Sequence, residues 1–160
     1  MGVVSVEELY FEGYRGHSLK GILHTPVEID QPPGVVFLHG LRTDSREFGS
    51  FPSLIAKKGL SALAFDFSGH GSSEGEPGLI SEETHTQDTF SALQLMQTKT
   101  NAPLLVVGHS FGAYAALSAL TYNKNVVCGA VIAPNSRSGA GLSLINRFLF
   151  RLAGGLIKPL

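Results

Sequence analysis

The chain has 160 residues, which is enough for one domain with a substantial core. Hydrophobic residues make up 43% of it and charged residues 16%, and this mixture, with 19 glycines, is typical of an α/β protein with buried parallel strands and many tight turns. The net charge of −1 excludes the strongly basic surface of a nucleic-acid-binding protein, so we expect no nucleic acid among its partners.

The first two strands, Val3–Glu12 and His17–Thr25, are expected to pair as an antiparallel hairpin at a sheet edge. A bulge is expected where Glu7 and Glu8 break the alternation of the first strand. On the second strand the small and apolar residues Gly21 and Leu23 share one face, which should pack on the core.

The rest of the chain alternates strands with helices. Apolar runs predict four more strands, at Val35–Leu38, Leu60–Phe67, Leu104–Val107 and Asn125–Ala133. Helical spacing and capping residues predict helices from Asp44 to about Lys58, Ser81–Lys99 and Phe111–Tyr122. This alternation predicts a mostly parallel sheet with helices on both faces, which residues 1–137 would form with about six strands.

The helix that begins at Asp44 should turn apolar side chains inward, with Pro52 kinking it or delaying its start. The residues expected to face the core are Phe48, Phe51, Leu54 and Ile55. Cys128 is the single cysteine, which excludes an internal disulfide, and its place in an apolar strand predicts a buried, inert thiol.

The N-terminal residues lack a basic segment followed by an apolar one. No apolar run approaches the ~18 residues of a membrane span. We therefore expect a cytoplasmic protein with no clear membrane segment.

A strand–turn–helix motif surrounds Ser110. The sequence Gly108-His109-Ser110-Phe111-Gly112 follows an apolar strand and opens an alanine-rich helix, which is the context of a nucleophile elbow. Only small residues fit two positions before and after such a serine, because the turn is crowded. Ser110 is the candidate nucleophile, and the alternative is a serine that merely caps the following helix. His109 should point away from the Ser110 hydroxyl, into the structure.

A second motif, His39-Gly40-Leu41, ends an earlier apolar strand. Acyl transfer needs two N–H donors aimed at the developing oxyanion, and the carboxyl ends of parallel strands lie at one edge of a sheet. The backbone amides of Leu41 and Phe111 are therefore the candidate oxyanion hole. The alternative is a turn that only ends the strand.

A glycine-rich loop, Asp66–Ser73, follows the next strand. Gly69 and Gly71 permit a tight turn beside the site, and we expect Asp66 and His70 to support this loop rather than act as catalytic groups. A phosphate-binding loop is excluded, because no Gly-Lys-Ser/Thr follows.

Taken in order, the segments that contain His39-Gly40, Asp66–Ser73 and Gly108–Gly112 resemble the α/β-hydrolase family, and most closely its bacterial serine esterase, lipase and serine-aminopeptidase-like members. The resemblance implies hydrolysis of a small ester, thioester or amide through an acyl-enzyme at Ser110, with no cofactor or metal. It also implies that residues 138–160 begin a lid or cap region.

The family places an acid and then a histidine after the nucleophile, but no Asp, Glu or His follows Ser110. His39, His70 and His109 are the histidines that could substitute, and we expect instead that the acid and histidine lie outside this chain. One alternative is an inactive remnant or binding module. Another is self-association, or a complementing chain, at the exposed edge of the strand Val126–Ile132.

Overall fold

The computed structural model describes residues 2–79 and 81–132. The predicted lid region, 138–160, lies outside them. Within the described residues, six strands form one sheet: β1 (Val4–Glu12), β2 (Ser18–Pro26), β3 (Gly34–Leu38), β4 (Ser61–Phe65), β5 (Leu104–His109) and β6 (Val126–Ile132). The same part of the chain contains three α-helices: α1 (Phe51–Ala56), α2 (Glu82–Lys99) and α3 (Phe111–Tyr122). Two short 3₁₀ turns span Tyr14–Gly16 and Ser45–Phe48.

The strand order is β1-β2-β4-β3-β5-β6. β1 and β2 form the predicted antiparallel hairpin at one edge, and β2 also pairs antiparallel with β4. The strands from β4 through β3 and β5 to β6 run parallel. The mostly parallel sheet is therefore confirmed. The predicted bulge is wrong, because Glu7 and Glu8 pair one-for-one with Leu23 and Ile22 in an unbroken register.

Helices cover both faces of the sheet. The larger core lies under α2 and α3, where Leu93, Met96 and three alanines of α3 meet the inward residues of β3 and β5. The smaller core lies on the other face, where Phe37 and Ala64 pack with Phe48 and Ile55. Because β3 and β4 are covered on both sides, every residue in them is buried, which explains their uninterrupted apolar sequences.

The helix between Asp44 and Lys58 is shorter than predicted, and two of its apolar side chains are more exposed. Asp44 caps the 3₁₀ turn by accepting the Arg46 amide, and the α-helix begins only at Phe51, with Pro52 in its first turn. Pro52 thus delays the start of the helix, as one form of the prediction had it. Phe51 and Leu54 are 56% and 48% exposed, so the inward orientation predicted for them is wrong.

β6 also differs from its prediction in burial. The strand lies at the end of the sheet opposite β1, and Cys128 on it is exposed. The prediction of a buried thiol is therefore wrong. An apolar pattern identifies a strand, but the burial of each side chain depends on what packs beside it. Within residues 2–79 and 81–132, no helix is long and apolar enough to cross a membrane.

Candidate active site

Ser110 occupies a sharp turn between β5 and α3. Its backbone has φ 51° and ψ −112°, a conformation that costs a residue other than glycine about 1–3 kcal/mol. The Ser110 amide donates to the Ile132 carbonyl at 2.9 Å, which extends the pairing of β5 with β6 into the turn. The surrounding sheet therefore holds the serine in a strained conformation.

Gly108 and Gly112 are required by crowding at this turn. A side chain at Gly108 would collide with the carbonyl oxygen of Gly112 at the start of α3. A side chain at Gly112 would collide with the carbonyl oxygens of Leu38 and His39 at the end of β3. The two glycines let the helix begin directly against the neighbouring strand, and the tight turn predicted around Ser110 is confirmed.

The sheet brings the His39-Gly40-Leu41 turn next to Ser110. β3 and β5 are adjacent and parallel, with Leu38 paired to Gly108. A Cβ placed on Gly40 would lie 3.2 Å from the Ser110 Cβ, so the two turns are in contact. Among the described residues, neither the Leu41 amide nor the Phe111 amide donates to a backbone carbonyl.

A carboxylate that sequence reasoning missed joins these two turns. The Glu47 Oε1 atom accepts the Gly40 amide at 3.0 Å and lies 2.8 Å from His109 Nδ1. The His109 side chain is 38% exposed, so the expectation that it points into the structure is wrong. The sequence offered only the helix-capping spacing from Asp44 to Glu47, which says nothing about a contact 62 residues away.

A sequence model of the family described as "Serine aminopeptidase, S33" matches residues 31–160. The chain belongs to this family. An uncharacterized abhydrolase domain-containing protein of Dictyostelium discoideum is 31% identical over 132 residues, which cover 77% of the chain and 13% of that protein. A monoglyceride lipase homolog of monkeypox virus is 24% identical over 129 residues, covering 79% of the chain and 47% of the relative.

The fold is also that of a solved α/β hydrolase. The crystal structure of the α/β hydrolase GrgF from Penicillium sp. sh18 superposes with a TM-score of 0.73 at 20% identity, covering 98% of the chain and 57% of that protein. The chain spans less than half the length of the two curated relatives. The α/β-hydrolase fold and membership of the S33 family are thus confirmed.

In this S33-family chain, His39 is fully buried and both of its ring nitrogens are engaged. The Phe67 amide donates to Nε2 at 3.0 Å, so the proton resides on Nδ1, which donates to the Gly40 carbonyl at 2.8 Å. Burial lowers the pKa of His39, with a partial opposing effect from the Gly40 carbonyl. His39 is therefore a neutral imidazole that ties the turn after β3 to the loop after β4.

His70 is also buried, in a group of aromatic rings behind the elbow. Its Nδ1 lies 3.0 Å from the Ser68 carbonyl, and its ring centroid is 5.4 Å from that of His39. His85, on α2, packs against two phenylalanine rings. Its ring centroid is 4.7 Å from that of Phe111 and 4.3 Å from that of Phe67. We call His39, Phe67, His70, His85 and Phe111 the ring cluster.

Sequence reasoning missed His85, although a signal was present. His85 shares helical spacing with the buried Leu93 and Met96 on the inner face of α2. Its Nδ1 lies 3.0 Å from the Ser81 carbonyl, and burial lowers its pKa to about 4. Among the described residues, the Nε2 atoms of His70 and His85 have no hydrogen-bond partner.

Two carboxylates brace the loops around the site. Asp66 accepts the amides of Ser45 and Ser72, which confirms that its carboxylate supports the glycine-rich loop. Asp88, on α2, is fully buried and accepts the Tyr14 amide at 2.7 Å and the Ser68 amide at 2.8 Å. Burial raises the pKa of Asp88.

Within the described ranges, no group of three or more His, Cys, Asp or Glu side chains could hold a metal ion.

Proposed function

We propose that this chain is the nucleophile-bearing part of a serine hydrolase that acts on a carboxylic ester, thioester or amide through an acyl-enzyme at Ser110. The observation that supports it most is the strained backbone of Ser110, held against the Gly40 turn with two candidate oxyanion donors beside it. Such strain persists only where the surrounding structure enforces it, and it is concentrated at functional sites.

In the proposed reaction, the Ser110 hydroxyl oxygen attacks the acyl carbon while a histidine base accepts its proton. The Leu41 and Phe111 amides stabilise the resulting oxyanion. Collapse of the tetrahedral intermediate expels the alcohol, thiol or amine, which takes the proton from the histidine. Water then releases the acid by the same steps, so the reaction needs no cofactor.

The base and the acid are proposed to come from outside this chain. No His, Asp or Glu follows Ser110 in the sequence. His39 has both ring nitrogens engaged, His70 and His85 are buried, and His109 is paired with Glu47. An unassisted serine is a weak nucleophile, and the oxyanion hole and binding alone provide about 10³–10⁴-fold catalysis. A lipid-type carboxylic ester is the first substrate class to test, because one relative is a monoglyceride lipase homolog.

The experiment is labelling of the purified chain with a fluorophosphonate, followed by mass spectrometry of the adduct. We expect slow labelling of Ser110, lost in Ser110→Ala and retained in Ser118→Ala, which removes a hydroxyl elsewhere on α3. If a segment or partner chain that supplies the histidine and acid makes the labelling of Ser110 faster, this result would support the complete proposal. A folded chain with no adduct, or an adduct on another serine, would contradict it and favour a binding module without turnover.

A further inference from the structure

Glu47 connects the two turns that make up the candidate site. Its carboxylate comes from the 3₁₀ turn Ser45–Phe48, which Asp44 fixes by accepting the Arg46 amide at 3.0 Å. From there Oε1 reaches both Gly40, in the turn after β3, and His109, in the turn after β5. A third loop thus holds the other two together through one oxygen atom.

The bond from Gly40 determines which amide of its turn remains available. Because the Gly40 N–H donates to Glu47, it cannot also donate to an oxyanion, and the Leu41 N–H is the next donor along the chain. This hydrogen bond orients the Gly40 amide. Rotation of that peptide would move the neighbouring Leu41 amide as well.

The bond to His109 fixes the residue that precedes the serine. Because Oε1 can only accept, His109 Nδ1 must carry a proton, which leaves Nε2 as the nitrogen that faces away from Glu47. A Cβ on Gly40 would lie 3.2 Å from His109 Nδ1 and 3.6 Å from Glu47 Oε2. Gly40, Glu47 and His109 are therefore packed in contact.

We propose that Glu47 is a positioning residue, which holds the oxyanion turn at Gly40-Leu41 in register with the nucleophile elbow by accepting from Gly40 and His109. This inference rests on the proposed role of Ser110. Displacement of catalytic groups by about 1 Å can cost 10²-fold in rate, so a carboxylate that sets this separation would affect the rate of acyl transfer without contacting the substrate.

The first measurement tests the contacts alone and needs no catalytic activity. Glu47→Leu removes the acceptor at similar volume, whereas Glu47→Gln keeps an acceptor oxygen. Glu28→Leu is the matched control, because Glu28 is an exposed carboxylate on the turn after β2. Amide hydrogen exchange followed by NMR should show fast exchange at Gly40 in the Leu variant and slow exchange in the wild type, the Gln variant and the control.

The second measurement tests the consequence for Ser110. The rate constant for fluorophosphonate labelling, corrected for the folded fraction, should fall about 10- to 100-fold in Glu47→Leu. It should stay close to wild type in Glu47→Gln and Glu28→Leu. A role in stability alone would lower the melting temperature of the Leu variant and leave the labelling rate of the folded protein unchanged.

Three results would overturn the inference: slow Gly40 exchange in Glu47→Leu, labelling of that variant at the wild-type rate, or equal loss in Glu47→Gln and Glu47→Leu. The last would mean that the charge matters and not the hydrogen bonds. If wild-type Ser110 does not label at all, the proposed function fails. The exchange measurement then still decides whether Glu47 holds Gly40.

Discussion

Replacing His85 with phenylalanine should remove much of the acid sensitivity of the fold. His85 is fully buried in the ring cluster, with Phe67 and Phe111 against its faces and edges. Burial lowers the pKa of this imidazole to about 4 from 6.5, an effect that the Ser81 carbonyl only partly opposes. Phenylalanine keeps a ring of similar size but cannot bind a proton.

Because the pKa of His85 is lowered in the folded state, this residue makes the fold less stable as the pH falls. Because the folded pKa lies below the unfolded one, the unfolded chain binds the proton first as the pH falls. The contribution of neutral His85 to stability is complete above pH 6.5 and is lost progressively between pH 6.5 and 4. A difference of about 2.5 pH units corresponds to about 3 kcal/mol of unfolding free energy.

Other groups titrate in the same region, so the difference between variants is the quantity to measure. Burial also lowers the pKa of His39, which adds to the loss of stability in acid. The raised pKa of Asp88 acts in the opposite direction, because the folded state then takes up a proton more readily than the unfolded chain. Both contributions are shared by the wild type and the His85→Phe variant.

The assay is urea unfolding at a series of pH values from 7 to 4, followed by far-ultraviolet circular dichroism because the chain has no tryptophan. The wild type should lose about 3 kcal/mol more than His85→Phe over this range. His24→Phe is the control, since that imidazole is only partly buried and should change the slope less. If wild type and His85→Phe lose stability in parallel, His85 is not a buried neutral group.

Two further predictions concern the loops and the elbow. Asp88→Ala leaves the part-buried Tyr14 amide and the buried amide and hydroxyl of Ser68 without their acceptor. The unfolding free energy should therefore fall by about 1–3 kcal/mol in urea unfolding, with little change for the exposed Asp30→Ala. Equal effects of the two substitutions would contradict this role of Asp88. Ser110→Gly relieves the strain of the positive φ, which is worth about 1–3 kcal/mol of unfolding free energy, and should therefore raise the melting temperature. Ser110→Ala keeps a Cβ at this position and should not raise it. Identical melting temperatures for these two variants would show that the elbow is not strained.

The sequence by itself determined the strands, the elbow and two of the three α-helices that the structure describes. Local sequence patterns predict these features: a fully apolar strand, a serine cap at Ser81, and glycines on both sides of Ser110. The spacing of Gly108 and Gly112 around the serine was enough to predict the tight turn. The crowding at Gly108 comes from Gly112, four residues along the chain, whereas the crowding at Gly112 comes from the end of β3 and shows only in the folded chain. The hairpin followed from two neighbouring segments.

Only the tertiary structure decided how the loops meet. Glu47 touches His109 across 62 positions because β3 and β5 are neighbours in the sheet, and no local pattern records that adjacency. The same limit explains the errors at Phe51 and Cys128, since burial depends on what lies beside a helix or strand and not on its own residues. It also explains His39, an apparent site residue whose ring nitrogens are both bound to backbone groups, one of them on the loop after β4. The candidate nucleophile lies in a short turn, so the sequence was enough to predict it. The contacts of Glu47 and His39 join different loops, so only the folded chain shows them.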